Sequence, residues 1–254
     1  MKNSGFFLIY RGLVKVMKSP MAPLSGLGTS LFFLIVYTAG IGGIGYLPEF
    51  GGHGYLAFIF PLCIVSLAMG SAAGAGQSLH DDLSSGYFRR LFYSPAPRWF
   101  FTAAPLLADA AATVLVSVIM LVIGGLIGVP FRFGALSFLG VLGLSFLWGV
   151  FLSGLSAGIM IRTGSPQGAK IVTTAVFPLI FLSPTFLPKE LITAKWLKVV
   201  MWGNPVTYML EAMRYLLAGT ADVSFFRIGL IMSLTGALGS VFFALSGSRK
   251  ILVR

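Results

Sequence analysis

Charged side chains are scarce in this sequence, and acidic ones are the scarcest. Only 10% of its 254 residues are charged, and just seven are Asp or Glu, whereas a soluble domain carries about 25% charged residues. Hydrophobic residues make up 57% of the chain, and its mean hydropathy is +0.93. So little charge cannot cover a surface that faces water, and the composition therefore predicts an integral membrane protein.

Cysteine and histidine are almost absent as well. The single cysteine, Cys63, lies in an apolar run, and there are two histidines, His53 and His80. One thiol cannot form an internal disulfide, and no Cys/His spacing typical of a metal site appears. The glycine-containing segment 164–170 lacks the spacing of a phosphate-binding loop. We therefore expect no metal, no cofactor and no catalytic residue in this chain, and any use of ATP has to come from another chain.

The positive charge is distributed in a way that argues against nucleic acid as a partner. The net charge is +11, but the basic residues form short clusters between apolar runs. Lys and Arg in such places set the orientation of membrane spans and meet anionic lipid headgroups. Membrane lipid is the partner that this pattern predicts.

Long apolar runs predict an all-α membrane protein with six transmembrane helices in one domain, residues 1–254. The predicted spans are 26–46, 55–76, 99–129, 135–161, 171–187 and 224–245. The third run would be about 45 Å long as a helix, against about 30 Å for the hydrocarbon core. We expect it to tilt, to kink at Pro105 or to protrude at one end.

The residues that precede the first span predict an amphipathic helix lying in the membrane interface. Within residues 6–19, Arg11, Lys15 and Lys18 share one face and apolar side chains occupy the other. Such a helix places its basic face toward lipid phosphates. Pro20 and Pro23 end it.

Counting positive charges predicts that both termini are cytoplasmic. Six spans place the termini on one side, and the segments on that side hold 12 of the 18 Lys and Arg residues. Positive residues favour the cytoplasmic side of a membrane. Within the spans, Gly70/Gly74, Gly124/Gly128 and Gly154/Gly158 have the spacing that allows helix backbones to approach closely.

The most polar internal segment, 77–98, is too long for a plain connection between helices, which needs about 2–8 residues. An acidic pair comes first and basic residues follow, an order that suits a helix dipole. On a continuous helix, Asp82, Gly86 and Arg89 or Arg90 fall along one stripe. The alternative is a solvated loop; we expect a helix on the cytoplasmic face that docks into a partner.

The second polar segment, 188–221, contains a helix start. Asn204 and Pro205 are typical of the cap and first position of a helix. Glu211 and Arg214, three residues apart, can form an ion pair on that helix. Elsewhere, Asp109 is a charge within a predicted span, and it is either a structurally paired group or one that serves substrate or protons.

Together these two segments resemble type-2 ATP-binding-cassette (ABC) exporter permeases, most closely the drug- and antibiotic-exporter branch. In that family an acidic residue is followed by x-x-x-Gly, then Leu, then Ser/Thr-Pro; here these are Asp82, Gly86, Leu91, Ser94 and Pro95. The second motif is matched by Phe177, Pro178, Phe181, Ser183, Phe186, Pro188, Trp196, Leu197, Asn204, Pro205, Tyr208, Glu211 and Arg214. Pro184 departs from the family pattern, and so does the absence of Leu-Pro before Trp196.

The resemblance implies a permease that works with a separate cytoplasmic ATPase in two copies, which would carry ATP and Mg. A second permease copy or a sister permease would complete the pathway for an amphiphilic small molecule. The implied ATPase-coupling residues are Asp81, Asp82, Gly86, Arg89, Arg90, Leu91, Ser94 and Pro95. Re-entrant helices would form an outer gate, with Phe177, Pro178, Asn204, Pro205, Tyr208, Glu211 and Arg214; a plain outer loop is the alternative.

Other functions remain possible on the sequence alone. Within the same family, the cargo could instead be a polysaccharide or a lipid. An ion-coupled secondary transporter would need acid and base relays or repeat halves with broken helices, and only Asp109 fits that description. A membrane-embedded enzyme would need a polar catalytic cluster at the end of a span, and the sequence contains none.

Overall fold

The computed structural model describes residues 11, 14, 21–50, 52–86 and 99–251, and its described elements are helices. There are nine α-helices in this part, which we number in chain order. They are α1 Met21–Ile41, α2 Gly54–Ser71, α3 Gly74–Ser84, α4 Trp99–Leu126, α5 Ala135–Thr163, α6 Pro166–Phe181, α7 Lys195–Gly203, α8 Pro205–Leu217 and α9 Val223–Ile251. Two short 3-10 turns, Gly42–Ile44 and Pro48–Phe50, connect α1 to α2.

Five of the described helical stretches are long and apolar enough to cross a bilayer, as the sequence predicts for five of its six spans. They are Leu24–Ile44, Gly54–Ser84, Trp99–Leu126, Ala135–Thr163 and Val223–Gly247. The remaining predicted span, 171–187, coincides with α6, which has only 16 residues and is about 24 Å long. Pro184 and Pro188 follow closely and cannot continue a helix. The helix Trp99–Leu126 is continuous through Pro105.

The helix α2 lies at the centre of the bundle and contacts α1, α4, α5 and α8. Its residues Ile59, Phe60, Leu62, Cys63, Ile64 and Val65 are each at most 1% exposed. Ser30 of α1 donates a hydrogen bond to the Cys63 carbonyl at 2.6 Å and lies 2.8 Å from the Ser66 hydroxyl. Because lipid tails do not drive helices together, such polar contacts and close packing hold the two helices.

Small residues bring α5 and α9 together. A Cβ atom at Gly154 would lie 2.5 Å from the Ser240 hydroxyl, and one at Gly158 would lie 2.2 Å from the Phe243 ring. This pair therefore packs as its spacing predicts. The Phe60 ring of α2 likewise packs directly against Gly124. Gly128, in contrast, has a positive φ and open space around it.

The turn from α5 to α6 is shorter than the predicted basic loop over 162–170. Gly164 ends α5 in the left-handed conformation, with φ of +66°, and its N–H bonds to Met160. Ser165 then caps α6 by accepting from the Gln167 N–H, and Pro166 occupies the first helical position. This Gly-Ser-Pro order closes one helix and opens the next at once, because each residue suits its cap position.

The helix over the second predicted span is not interrupted at residue 76. After α2 ends at Ser71, the chain turns through Ala72 and Ala73 and continues as α3 to Ser84. Gln77 therefore lies inside a helix and does not begin a loop. We call the end of the bundle that contains α3 and the start of α6 the α3 end. The opposite end, with α7, α8 and the start of α9, is the α8 end.

Candidate functional site: a charged helix and a buried ion pair at opposite ends

At the α3 end, Asp82 anchors α3 to the N-terminal residues of the chain. The guanidinium of Arg11 donates to both carboxylate oxygens, with nitrogen–oxygen distances of 2.9 and 3.4 Å. Two parallel bonds of this kind fix the relative orientation of the two groups. The sequence predicts that Arg11 faces lipid phosphates; in the structure its guanidinium pairs with Asp82. Lys15 and Lys18 lie outside the described residues.

Asp81, the neighbouring acid, is directed away from the bundle. Its side chain is 50% exposed; Gln77 donates to it at 3.1 Å, and the His80 ring lies 3.9 Å away. The helix ends at Ser84, and Gly86 follows with a φ of +70°. The predicted stripe through Asp82 and Gly86 on one continuous helix is therefore wrong. Arg89, Arg90, Leu91, Ser94 and Pro95 lie outside the described residues.

At the α8 end, Asn204 connects the junction of α7 and α8 to the end of α6. Its side-chain oxygen accepts from the Val206 N–H at 3.0 Å, and Pro205 is the first residue of α8, as the sequence predicts. The amide nitrogen of Asn204 donates to the carbonyls of Leu179 and Leu182 at 2.6 and 3.1 Å. One side chain thus caps α8 and satisfies carbonyl groups at the end of α6.

The Glu211–Arg214 pair lies about two to three turns further along α8 and is deeply buried. The nitrogen–oxygen distance is 2.7 Å, with relative exposures of 7% for Glu211 and 2% for Arg214. The guanidinium also donates to the carbonyls of Phe58 and Thr185, each at 3.3 Å. It stacks on the Phe58 ring at 3.6 Å. A buried arginine is tolerated only when its charge and its donors are matched in this way.

The remaining predicted gate residues lie on α8 and α6. Tyr208 donates to the Trp202 carbonyl at 2.8 Å, which links α8 to α7. Phe177 and Pro178 lie in the last turns of α6, and the Phe177 ring is 46% exposed and meets Phe181 edge-on. The structure therefore brings Asn204, Tyr208, Glu211 and Arg214 into one short helix, while Phe177 faces outward from the bundle.

Two cavities adjoin these segments. One, of about 430 Å³, is a groove near the α3 end between α1, α2 and α6, which we call the α1–α6 groove. It is lined by Ser25, Thr29, Phe33, Ser66, Met69, Gly70, Lys170, Thr173, Thr174 and Phe177. The other, of about 280 Å³, lies at the α8 end beside Trp202, Phe225 and Glu211. Both are within or close to the range of small-molecule sites.

Asp109 is buried between helices. It is 4% exposed and accepts a hydrogen bond from the Ser153 hydroxyl of α5 at 2.6 Å. It lines neither cavity. The hydrogen-bonded setting fits the structurally paired alternative that the sequence left open.

A family model described as ABC-2 type transporter matches residues 5–218, most of the chain, including α3 and α8. The chain belongs to this family. It is similar to a daunorubicin resistance ABC transporter permease protein of Streptomyces coeruleorubidus, with 26% identity over 92% of this chain and 81% of that protein. It is also similar to a putative transport permease of Cyanophora paradoxa, with 24% identity over 90% and 82% of the two chains.

A third relative of this ABC-2 permease is a probable doxorubicin resistance ABC transporter permease protein of Mycobacterium tuberculosis. It is 23% identical over 72% of this chain and 66% of that protein. Membership in the family, together with five apolar helical stretches, makes the chain a multi-pass membrane permease. It is the membrane subunit of a transporter, and not an enzyme.

Sequence reasoning missed several partners of the predicted residues in this permease. Phe58, whose carbonyl and ring both receive Arg214, gives no signal beyond an apolar run. Thr185 supplies another carbonyl to Arg214, and its hydroxyl pairs with Ser183. Ser183 belongs to the second family motif in the sequence, so it is the residue that could have indicated the turn around Thr185. Ser153, the partner of Asp109, could not be distinguished from other serines in the spans.

Proposed function

We propose that this permease is the membrane-spanning subunit of an ATP-driven exporter of amphiphilic small molecules, powered by a separate ATPase. The observation that carries the proposal is the junction of α2 and α3. The most deeply buried helix of the bundle leads, after a two-residue turn, into a short helix with exposed charge at Asp81. A push on that helix from outside the membrane has a direct path to the core.

In this proposal α3 and the residues that follow it, through Pro95, receive the motion of the ATPase. Asp81 would meet a partner's surface on its exposed side, while Asp82 is held by Arg11. The N-terminal residues would then move together with α3. Two ATPase copies, with ATP and Mg bound to them, would act from the cytoplasm, where both termini of the permease also lie.

We infer further that α6 is the fifth of six spans and that α7 and α8 form a re-entrant outer gate. A helix of 16 residues reaches only part of the way across the bilayer. Irregular backbone at membrane depth is tolerated when protein buries it, and the bonds of Asn204 and Arg214 to the carbonyls of Leu179, Leu182 and Thr185 meet that need. The buried ion pair would keep the gate rigid.

The α1–α6 groove supports two parts of the proposal: that the cargo is amphiphilic and that a second permease is required. Its lining combines the aromatic rings of Phe33 and Phe177 with several hydroxyl groups and Lys170, which suits a molecule with both apolar and polar parts. Hydroxyl groups on a face that meets only lipid would have no polar group there to interact with. A second copy, or a sister permease, facing this groove would complete a pathway.

The test is to express the permease with its partner ATPase, purify the complex and reconstitute it in vesicles. ATP hydrolysis is measured against a panel of amphiphiles that includes daunorubicin, which gives its name to the resistance of one relative, and a lipid-linked saccharide. We expect stimulation by drug-like amphiphiles, and no hydrolysis by the permease alone.

Stimulation by the lipid-linked saccharide alone would assign the protein to polysaccharide or lipid export instead. ATP hydrolysis by the purified permease without a partner would refute the separate ATPase. Transport driven by a proton gradient in the absence of ATP would refute the whole proposal in favour of a secondary transporter.

A further inference from the structure

The start of α3 is wedged unusually tightly among three other helices. A Cβ atom at Gly74 would lie 2.6 Å from the Asp109 carboxylate of α4. One at Gly76 would lie 2.6 Å from both the Ser156 hydroxyl of α5 and the Ala169 methyl of α6. Glycine at these two positions is what lets the α3 backbone come so close.

This helix start has no cap from its own chain segment. Ala73 is at the cap position and its side chain offers no acceptor, so no side-chain cap bond forms. The free N–H groups of a first helical turn need a partner. Here the Asp109 carboxylate of another helix, α4, lies against this turn, beside Gly74 and the Ala75 backbone.

The same carboxylate is held from the opposite side by α5. Ser153 donates to its Oδ2 atom at 2.6 Å, while its Oδ1 atom is the one nearest to the place that a Cβ atom on Gly74 would occupy. The positive end of the α3 dipole compensates part of the negative charge. One buried side chain of α4 therefore joins the start of α3 to α5.

We propose that Asp109 is a positioning residue that caps α3 in trans and makes α3, α4 and α5 move as one unit. The inference rests on the proposed function, in which α3 receives the motion of the ATPase. Without this contact, a push on α3 would reach the bundle mainly through α2, across the Ala72–Ala73 turn where the helical backbone is interrupted. Through the cap, a displacement of α3 also moves α4 and α5, the two long helices beside that turn.

The experiment measures the distance between α3 and α5 directly in the full complex with its ATPase. Spin labels are placed at Ser84→Cys on α3 and at Gly143→Cys on α5, in a Cys63→Ala background. Both positions are exposed, and nothing lies near a Cβ atom at Gly143. The distance distribution is recorded without nucleotide and in a vanadate-trapped state, and transport per ATP hydrolysed is measured in vesicles.

With Asp109 in place we expect one narrow distance that is the same in both states. Asp109→Ala should broaden the distribution and lower transport per ATP by about fivefold, the equilibrium factor that accompanies loss of one helix cap. Asp109→Asn keeps an acceptor for the Ala75 N–H and should stay within about twofold of the parent. Ser153→Ala should fall between the two.

A matched control is Ser145→Ala, which removes a buried hydroxyl of the same helix whose hydrogen bond stays within that helix, at the Val141 carbonyl. It should leave the distance and the transport ratio unchanged. If Asp109→Ala does not fold, Ser153→Ala is compared with this control instead.

An unchanged distance distribution in Asp109→Ala, or in Ser153→Ala when only that variant folds, would overturn the proposal. Equal loss in Asp109→Asn and Asp109→Ala would overturn it in favour of a proton-carrying role. Failure of the parent complex to hydrolyse ATP would instead count against the proposed function.

Discussion

The two ends of the bundle use charge in opposite ways. At the α8 end, Glu211 and Arg214 are 7% and 2% exposed, and protein groups surround the guanidinium. At the α3 end, Asp82 is 8% exposed, but the side chains of its partner Arg11 and of the neighbouring Asp81 are 36% and 50% exposed. A buried pair fixes the structure around it, because breaking it strands a charge. A pair with one exposed side chain is screened by solvent and adds less to stability, and the exposed charges at this end stay accessible to a partner.

The difference predicts that substitutions at the α8 end act mainly on folding, whereas those at the α3 end act mainly on coupling. Four changes test this, in order of decreasing effect on stability.

Arg214→Met should be the most damaging change. It leaves the Glu211 carboxylate buried without its partner, which costs about 3–5 kcal/mol. We expect a large fall in melting temperature of the detergent-purified protein and little recovery of folded material. The double variant Glu211→Leu/Arg214→Met should regain much of the loss, since no charge remains buried.

Arg227→Met is the control for that change, because Arg227 is exposed and its loss should shift the melting temperature little. If Arg214→Met and Arg227→Met were equally mild, the α8 end would not be the rigid end of the molecule.

Asn204→Ala should be intermediate. It removes the cap of α8, worth about 0.5–2 kcal/mol, and leaves the carbonyls of Leu179 and Leu182 without their donor. Asn204→Asp keeps the acceptor for Val206 but not the donor, so its melting temperature should lie between those of the parent and Asn204→Ala. Equal melting temperatures for Asn204→Asp and the parent would mean that the donor bonds to α6 contribute nothing.

Gly86→Ala separates stability from coupling at the α3 end. Its φ of +70° is in the left-handed region, where a residue with a Cβ atom costs about 1–2 kcal/mol. Gly52→Ala is the matched control at the α8 end, with a φ of +75° and equally open surroundings. Both should lower the melting temperature alike, but only Gly86→Ala should lower substrate-stimulated ATP hydrolysis. Equal activity in the two variants would contradict a coupling role for the turn after α3.

Asp82→Asn should have the smallest effect on stability and a large one on activity. Asp82 is 8% exposed, but its partner Arg11 is 36% exposed, so solvent weakens the pair. Its loss should cost about 1 kcal/mol and lower the melting temperature only slightly. Stimulated hydrolysis should fall because Arg11 no longer holds α3 through a charged pair. The exchange Arg11→Asp/Asp82→Arg should restore activity if the contact between the two segments is what matters. Full activity of Asp82→Asn would remove Asp82 from the coupling site.

The local features of this permease were predictable from the sequence because they depend on a few adjacent residues. Asn204 followed by Pro205 starts a helix wherever the chain allows it, and Glu211 and Arg214 meet because three residues bring side chains to one face of a helix. The stripe through Asp82 and Gly86 was not predicted correctly. A glycine that adopts a positive φ ends the helix, and no spacing rule distinguishes it from one that continues the helix.

By itself, the sequence determined that the chain is a helical membrane protein with its informative polar residues in two segments outside the long spans. Hydrophobic length and charge scarcity suffice for this, since the bilayer imposes its thickness and rejects unpaired charge. Only the tertiary structure decided which residues those polar groups meet. Arg11 with Asp82, Arg214 with Phe58 and Asp109 with Ser153 are separated by 71, 156 and 44 positions, and contacts at such distances depend on how the helices pack, which no local pattern encodes.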